Sequence, residues 1–301
     1  RTSMDYTTGA FFWEAGDYIY VKDDNGTWQK SNNAPTAKTA DFMFYVPGEF
    51  KNSTTYEVYY PGKNGNKDQV TISTSQTQTE PNSTAHFGVS GDCGTATATK
   101  SISAKGSVEF RFSITHQASY LVFQPYTSNA FLKNCYLTKI EVDSDNDIAA
   151  TYTLNSSNGL TGTGTNKQII LTTKGSGNYA NGFPLTNSSA SVATNGAYMI
   201  IKPGTHILRV RYWLKDKITG IEGTVTKILN SFNYAKNTYY NMTANLDVRN
   251  NDGAHYYMWD AQQHYWYGHE WNQGGSQPKI SYSRPGATKS NDYPKNASDP
   301  R

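Results

Sequence analysis

Apolar and polar residues alternate in many short stretches of the chain, and residues that favour turns separate these stretches. The alternation is clearest at residues 108–114 and 239–248, where apolar side chains occupy every second position. Because successive side chains of a strand point to opposite faces of its sheet, this spacing predicts strands with one buried face. Similar alternation, or a short apolar run, predicts further strands at residues 18–21, 42–46, 56–60, 70–72, 120–123, 137–142, 150–154, 168–171, 197–201, 207–214 and 223–227.

The sequence lacks the periodicity of an amphipathic helix. No window of about 11 residues or more combines a 3.6-residue apolar period with freedom from Gly and Pro. Residues 73–107 are mostly Ser, Thr, Gly and Asn, and we interpret them as a long loop system or weak edge strands. The pattern therefore predicts an all-β protein with no substantial helix.

The number of short strands with turns between them favours β-sandwich architecture. One large sandwich is compatible with the length of 301 residues, but two sandwiches of roughly 100–150 residues fit usual domain sizes better. An acidic turn after residue 142 suggests the boundary between them. We predict two tandem β-sandwich domains at residues 1–152 and 153–250, followed by an aromatic-rich segment and polar tail at 251–301.

Composition supports the all-β prediction and excludes some partners. The chain has 23 Tyr, 12 Phe and 25 Gly, with 17% charged residues, and Tyr, Thr and Phe favour pleated surfaces. Its net charge is only +3, and no run of basic residues with interleaved aromatics indicates nucleic-acid binding. No stretch approaches the ~20 apolar residues that a membrane-spanning helix needs.

The two cysteines, Cys93 and Cys135, allow two interpretations. An exported protein can join them in a disulfide, and the alternative is a pair of inert, buried thiols. The 41 residues between them say nothing about geometry, so both interpretations remain open.

Candidate metal ligands occur in two places, and neither matches a known pattern. Asp143, Asp145 and Asp147 resemble the start of a calcium loop, but the sixth and twelfth positions hold Ile148 and Leu154. The EF-hand requires Gly and Glu there, so we interpret this stretch as a β-turn. A second group consists of His264, His269 and Glu270, whose five-residue spacing and intervening Gly268 differ from the zinc-binding HExxH helix.

No catalytic motif is present in the sequence. The nucleophile elbow, the phosphate-binding loop and the dinucleotide fingerprint are all missing. His116 and His206 flank predicted strands, and we expect them to cap strand ends by hydrogen bonding. Glu109 and Glu141 occupy outward strand positions, so they suggest no pair of glycosidase carboxylates. We therefore predict a non-enzymatic protein without cofactors.

Residues 255–271 contain an unusual density of aromatic side chains. Such a cluster can close the end of a sandwich as a plug, or it can form a surface for a sugar or a protein partner. Both alternatives stay open from the sequence. The residues that we predict to contact a ligand or another subunit are Trp259, His264, Tyr265, Trp266, Tyr267 and Trp271.

Five phrases, in this order along the chain, resemble the fimbrillin family. They are residues 13–21 (WEAGDYIYV), 112–123 (FSITHQASYLVF), 137–142 (LTKIEV), 199–206 (MIIKPGTH) and the aromatic cluster at 257–271. Fimbrillins are exported pilin and adhesin lipoproteins of Gram-negative anaerobes, and they form type V pili. The resemblance consists of strand and turn phrases and contains no catalytic motif.

The resemblance implies a fold and a mode of assembly. Family members have two β-sandwich domains of transthyretin-like topology, and their precursors are lipidated for the outer membrane. Trimming near an Arg opens a groove that a neighbour's strand fills. The start Arg1-Thr2-Ser3 is similar to the Arg-Thr of many members, which implies a processing site at Arg1. The lipobox Cys is absent from this sequence, and Cys93 and Cys135 match no pattern of the family.

Together these observations predict a non-enzymatic structural or adhesive protein of the cell surface. It would be a pilus subunit or tip adhesin, located at the outer membrane in a fimbrium and held there by a lipid anchor or by neighbouring subunits. Its expected partners are other subunits, bound by strand exchange, and glycans or proteins of host or bacterial surfaces, but not nucleic acid. The alternative is a carbohydrate-binding surface lipoprotein that uses the C-terminal Trp/Tyr cluster.

Overall fold

The computed structural model describes residues 2–247, and strands dominate this part of the chain. The helices that it describes, α1 (Phe87–Ser90), α2 (Val192–Asn195) and two 3-10 turns, have four residues or fewer, and none is long or apolar enough to cross a membrane. The predicted all-β class is confirmed.

The strands are β1 (Ser3–Met4), β2 (Phe11–Phe12), β3 (Tyr20–Lys22), β4 (Trp28–Lys30), β5 (Thr55–Tyr60), β6 (Gln69–Thr71), β7 (Ser75–Gln78), β8 (Gly94–Ile102), β9 (Val108–Arg111), β10 (Thr115–His116), β11 (Ser119–Tyr126), β12 (Cys135–Ser144), β13 (Thr151–Asn155), β14 (Gly159–Thr161), β15 (Gln168–Thr173), β16 (Phe183–Pro184), β17 (Ala197–Ile201), β18 (Gly204–His206), β19 (Leu208–Asp216), β20 (Glu222–Ile228), β21 (Phe232–Tyr234) and β22 (Thr238–Asn245).

The N-terminal sheet has the strand order β10-β8-β5-β3-β4, and β9 also pairs with β8. Its longest strand is β8, which lies within residues 73–107, so the prediction of loops or weak edge strands there was wrong for this strand. The strand forms because small side chains on β8 fit beside large side chains on the neighbouring β5. Ala98 lies opposite Tyr56 and Gly94 opposite Tyr60, so small residues on β8 accompany large ones on β5, and β8 shows no apolar alternation.

Two further sheets have three and six strands. One has the order β17-β11-β22, and the other has the order β20-β19-β12-β15-β7. Strand β11 is buried along nearly its whole length, and it pairs antiparallel with β17 and parallel with β22. Strand β12 pairs with β15 and β19. Strands β11 and β12 thus form the centres of the two sheets.

Buried apolar side chains form two clusters. The first cluster lies on the N-terminal sheet, and its members are Trp13, Ile19, Val21, Tyr56, Val58, Tyr60 and Ala98. The second cluster is larger and includes the buried residues of β11, β12, β17 and β19. The described residues belong to one compact unit. The domain boundary at residue 152 stays a prediction, and β11 and β12, which precede it, pair with β17, β19 and β22, which follow it.

Most predicted strands appear close to their expected positions. Residues 197–201 coincide with β17, and in β22 the side chains of Tyr240 and Met242 are less exposed than those of Tyr239 and Thr243. Two predicted stretches differ from the structure. Residues 42–46 form no ladder, and β9 ends at Arg111, so residues 112–114 lie outside the strands. These two stretches define the candidate site.

Candidate functional site

Two unpaired segments, residues 42–46 and 112–114, line one side of the first cluster. In each segment the burial alternates as it does in a strand. Phe42, Phe44 and Val46 pack against the cluster, whereas Met43 and Tyr45 are 63% and 60% exposed. The sequence predicted strands at both places, and the structure shows their alternation of burial without a ladder.

The cluster is incompletely covered on this side. Eight apolar residues pack against it while remaining only half-buried, and we call them the open apolar face: Phe42, Phe44, Val46, Phe50, Ala96, Phe110, Phe112 and Ile114. The rings are in contact across the face. The ring centroids of Phe42 and Phe44 lie 4.8 Å apart, and those of Phe44 and Phe112 lie 6.4 Å apart. A face of this kind stays partly exposed to water unless another element covers it.

The backbone of the first segment is held on one side. The N–H of Asn32 donates to the carbonyl oxygen of Tyr45 at 2.9 Å, and the side-chain amide of Asn33 binds the N–H of Tyr45 and the carbonyl of Met43. Among the described residues, the backbone groups of Phe42, Phe44 and Val46 make no hydrogen bond. Alternate peptide groups of this segment are thus available to a further strand.

The second segment is also without backbone pairing. Within the described part of the chain, the peptide groups of Phe112, Ser113 and Ile114 form no hydrogen bond to another segment. Strand β9 ends directly before them and β10 begins directly after them. Both strands pair with β8, and an incoming strand beside residues 112–114 would find peptide groups without a described partner.

The carboxylate of Asp24, beside the open apolar face, is bound by groups of the protein itself. Asp24 accepts hydrogen bonds from the Tyr56 hydroxyl at 2.6 Å and from the N–H of Lys51 at 2.6 Å. The hydrogen bond from Tyr56 lowers the pKa of the Asp24 carboxyl, while burial raises the pKa of the Tyr56 hydroxyl. A partner of the open apolar face would therefore meet apolar side chains and free peptide groups. The Asp24 carboxylate already accepts hydrogen bonds from Tyr56 and Lys51.

A buried polar network surrounds Asp92. Asp92 accepts hydrogen bonds from the Tyr120 hydroxyl at 2.5 Å and from His116 Nδ1 at 2.9 Å. Burial, reinforced by Asp92, raises the pKa of Tyr120 well above its usual value.

His206 is bonded to the carbonyl oxygen of Lys202 at 2.8 Å and to Asn146. The structure thus shows both His116 and His206 as hydrogen-bonding residues at strand ends, as the sequence predicts.

The acidic turn after β12 uses its carboxylates within the protein. Asp147 accepts from Lys202 Nζ at 3.0 Å and from the Tyr152 hydroxyl at 2.9 Å. Asp145 accepts from the N–H of Ile207, and Asp143 binds Arg209. In the part of the chain that the structure describes, no three His, Cys, Asp or Glu side chains are placed to share a metal ion. These contacts support the interpretation of this stretch as a turn.

The structure holds both cysteines as free thiols. Cys93 follows the buried Asp92 and belongs to the second cluster, and Cys135 begins β12. Burial raises the pKa of both thiols. The disulfide considered from the sequence is not formed in this structure, and it stays a prediction.

The remaining predicted site residues lie outside the described residues, so they stay predictions. They are Arg1, Trp259, His264, Tyr265, Trp266, Tyr267 and Trp271. The open apolar face is a feature that the sequence analysis did not single out. Its signal was present in the alternation of residues 42–46 and 112–114, but the absence of a pairing partner is visible only in three dimensions.

The chain is similar to several solved structures. No protein-family model matches the chain, and no curated protein matches it. A structure from Bacteroides fragilis named a putative cell adhesion protein is 12% identical, with a TM-score of 0.45 over 83% of this chain and 87% of that one. One of the same name from Bacteroides ovatus is 18% identical, with a TM-score of 0.40 over 77% and 83% of the two chains. A fimbrial protein from Bacteroides ovatus is 11% identical, with a TM-score of 0.31 over 78% of this chain and 46% of its own.

Proposed function

We propose that this protein is a structural and adhesive subunit of a cell-surface fibre. In this proposal the open apolar face receives a strand from a neighbouring subunit. The observation that carries it is the pair of strand-like segments at residues 42–46 and 112–114, which line a half-buried apolar surface without ladder partners.

The physical argument has two parts. Unpaired peptide groups beside an apolar surface are a template for another strand, because main-chain hydrogen bonds provide affinity and alternate side chains fill the surface. Phe44 and Phe112 are only half-buried in the isolated chain, so covering them removes apolar area from water at roughly 25 cal/mol per Å². The binding therefore has a driving force and requires no catalytic group.

The sequence phrases that resemble fimbrillins support the same function. Fimbrillins polymerise by strand exchange at the outer membrane, and two of the phrases that resemble theirs overlap the open apolar face or contact it. The phrase at residues 112–123 begins in the unpaired segment, and the phrase at residues 13–21 contributes Trp13, whose ring lies 4.9 Å from that of Phe44. Export, lipidation and trimming at Arg1 belong to this proposal as parts of the family pattern.

The test compares inward and outward substitutions on the same segment. Full-length protein carrying Phe44→Asp is compared with Tyr45→Asp by size-exclusion chromatography and electron microscopy of purified protein. The inward variant is expected to lose self-association, because a carboxylate on the face opposes burial by an incoming strand. The outward variant, which alters a 60% exposed side chain, is expected to assemble like the unmodified protein.

A second pair of variants guards against misfolding. Phe112→Asp and Ser113→Asp repeat the comparison on the other segment, and circular dichroism verifies that each variant keeps its strand content. Equal assembly of inward and outward variants, or absence of assembly in the unmodified protein, would contradict the proposal. Surface labelling of intact source cells tests the location independently.

A further inference from the structure

A second pair of free edges lies in the C-terminal part of the molecule. Strand β22 is the last strand of the sheet β17-β11-β22, and β20 is the last strand of the sheet β20-β19-β12-β15-β7. Each pairs with a described strand on one side only, β22 with β11 and β20 with β19. Within residues 2–247, both sheets therefore end at the same groove with backbone edges that no described strand pairs.

A groove of about 570 Å³ lies between these edges. On one wall Tyr240, Met242 and Ala244 point toward the second cluster, and on the other wall Val210 and Tyr212 are buried. The remaining residues of the lining are Lys227, Ile228, Leu229, Asn230, Ser231, Phe232, Tyr234, Asn241, Thr243 and Asn245. The groove thus combines an apolar floor with an eight-residue strand edge.

Lys227 gives the groove a charge preference. It lies opposite the buried Val210 in the β19–β20 ladder, so its side chain is on the inner face of the sheet, beside the groove. Among the described residues it forms no ion pair or hydrogen bond, whereas Arg209 and Arg211 of the neighbouring strand are paired with Asp143 and Glu141. A cation next to an apolar surface favours an occupant that carries an acidic group.

We propose that this groove is a binding site for an extended peptide strand of a partner. The strand pairs with the free edge of β22 and places apolar side chains at alternate positions in the groove. An Asp or Glu side chain, or a terminal carboxylate, meets Lys227. This site belongs to a different cluster from the open apolar face, and it does not depend on the function proposed for that face.

The experiment uses the full chain, labelled for nuclear magnetic resonance, and two ten-residue probe peptides. Both peptides alternate Val and Thr, and they differ in one central residue, which is Glu in one and Lys in the other. The Glu peptide is expected to bind with slowed amide hydrogen exchange confined to β22 and its neighbours. Lys227→Glu is expected to weaken the Glu peptide at least tenfold and to reverse the preference between the two peptides.

Two further measurements make the result specific. Lys174→Glu, which changes an exposed lysine that does not line the groove, is expected to leave both affinities unchanged. Phe112→Asp is also expected to leave peptide binding at β22 unchanged, so failure of the first proposed site is distinguishable from failure of this one. The inference is overturned by β22 amides that are already fully protected without peptide, by absence of Glu-peptide binding, or by a Lys227→Glu variant that retains the original preference.

Discussion

The rings of Phe44 and Phe112 lie 6.4 Å apart, yet no described hydrogen bond joins the backbone segments that carry them. Side chains of facing strands often touch without a ladder, but here each segment also carries peptide groups that no described hydrogen bond pairs. Both segments stay half-exposed, so water satisfies their peptide groups in the isolated chain. This relationship makes the first cluster incomplete on one side.

Because the open apolar face is only partly covered, truncating Phe44 and truncating Phe123 should lower the free energy of unfolding by different amounts. Phe123 is fully buried, so Phe123→Ala is expected to lower the free energy of unfolding by about 3–5 kcal/mol. Phe44 is half-buried, and Phe44→Ala is expected to cost about 1–2 kcal/mol, since it gives up less buried area. Urea unfolding of both variants provides the measurement. Equal costs would mean that the face is closed in solution.

The size match between β5 and β8 predicts the effect of overpacking. Ala98 lies opposite Tyr56 in the first cluster, so Ala98→Leu forces the two side chains apart. We expect a loss of about 1–3 kcal/mol in the free energy of unfolding. Thr97 is exposed on the opposite face, and Thr97→Leu serves as the control, with an expected change within about 0.5 kcal/mol. A tolerated Ala98→Leu would contradict the packing described for this sheet.

His86 predicts a pH dependence of stability. It is buried, its Nδ1 bonds Ser90 at 2.9 Å, and its Nε2 has no partner among the described residues. Burial lowers the pKa of His86 to about 3, so the folded state keeps the ring neutral. The unfolded state binds a proton below its ordinary pKa of about 6.5. The stability that the neutral ring provides is therefore complete above pH 6.5 and is lost as the pH falls from there toward 3.

The corresponding measurement is the free energy of unfolding of His86→Gln between pH 8 and pH 4. Removing the group is expected to flatten the curve below pH 6.5 by up to about 1.4 kcal/mol per pH unit, which is the effect of one proton. Above pH 7 the difference between variant and unmodified protein is expected to stay constant. Parallel curves over the whole range would show that His86 does not titrate on unfolding.

The two free cysteines predict slow thiol chemistry. Because both thiols are buried and burial raises their pKa, little reactive thiolate is present in the folded protein. We expect a thiol reagent to label Cys93 and Cys135 only as the protein unfolds, with two equivalents reacting in denaturant. Mass spectrometry of the unreduced protein is the control. A mass lower by two hydrogens would reveal the disulfide that the structure does not contain.

The sequence alone determined the all-β class and the facing of many strands. Alternation is a local property, because each side chain's face follows from its position in its own strand. It located β17 at residues 197–201 and the inward side chains of β22, and it placed Phe112 on the apolar side of its predicted strand. The depletion of charge and of catalytic motifs likewise directed the prediction toward a structural role.

Only the tertiary structure decided which strands pair, because pairing joins residues that are distant in sequence. The parallel ladder of β11 with β22 connects residues more than one hundred positions apart, and nothing local in either strand specifies it. Strand β8 was not predicted, because its small residues show no apolar alternation and lie opposite the large tyrosines of β5. For the same reason the sequence predicted ladders at residues 42–46 and 112–114, whereas neither segment forms a ladder with any described strand. A strand pattern describes a surface that can be paired, and the rest of the molecule determines whether it is.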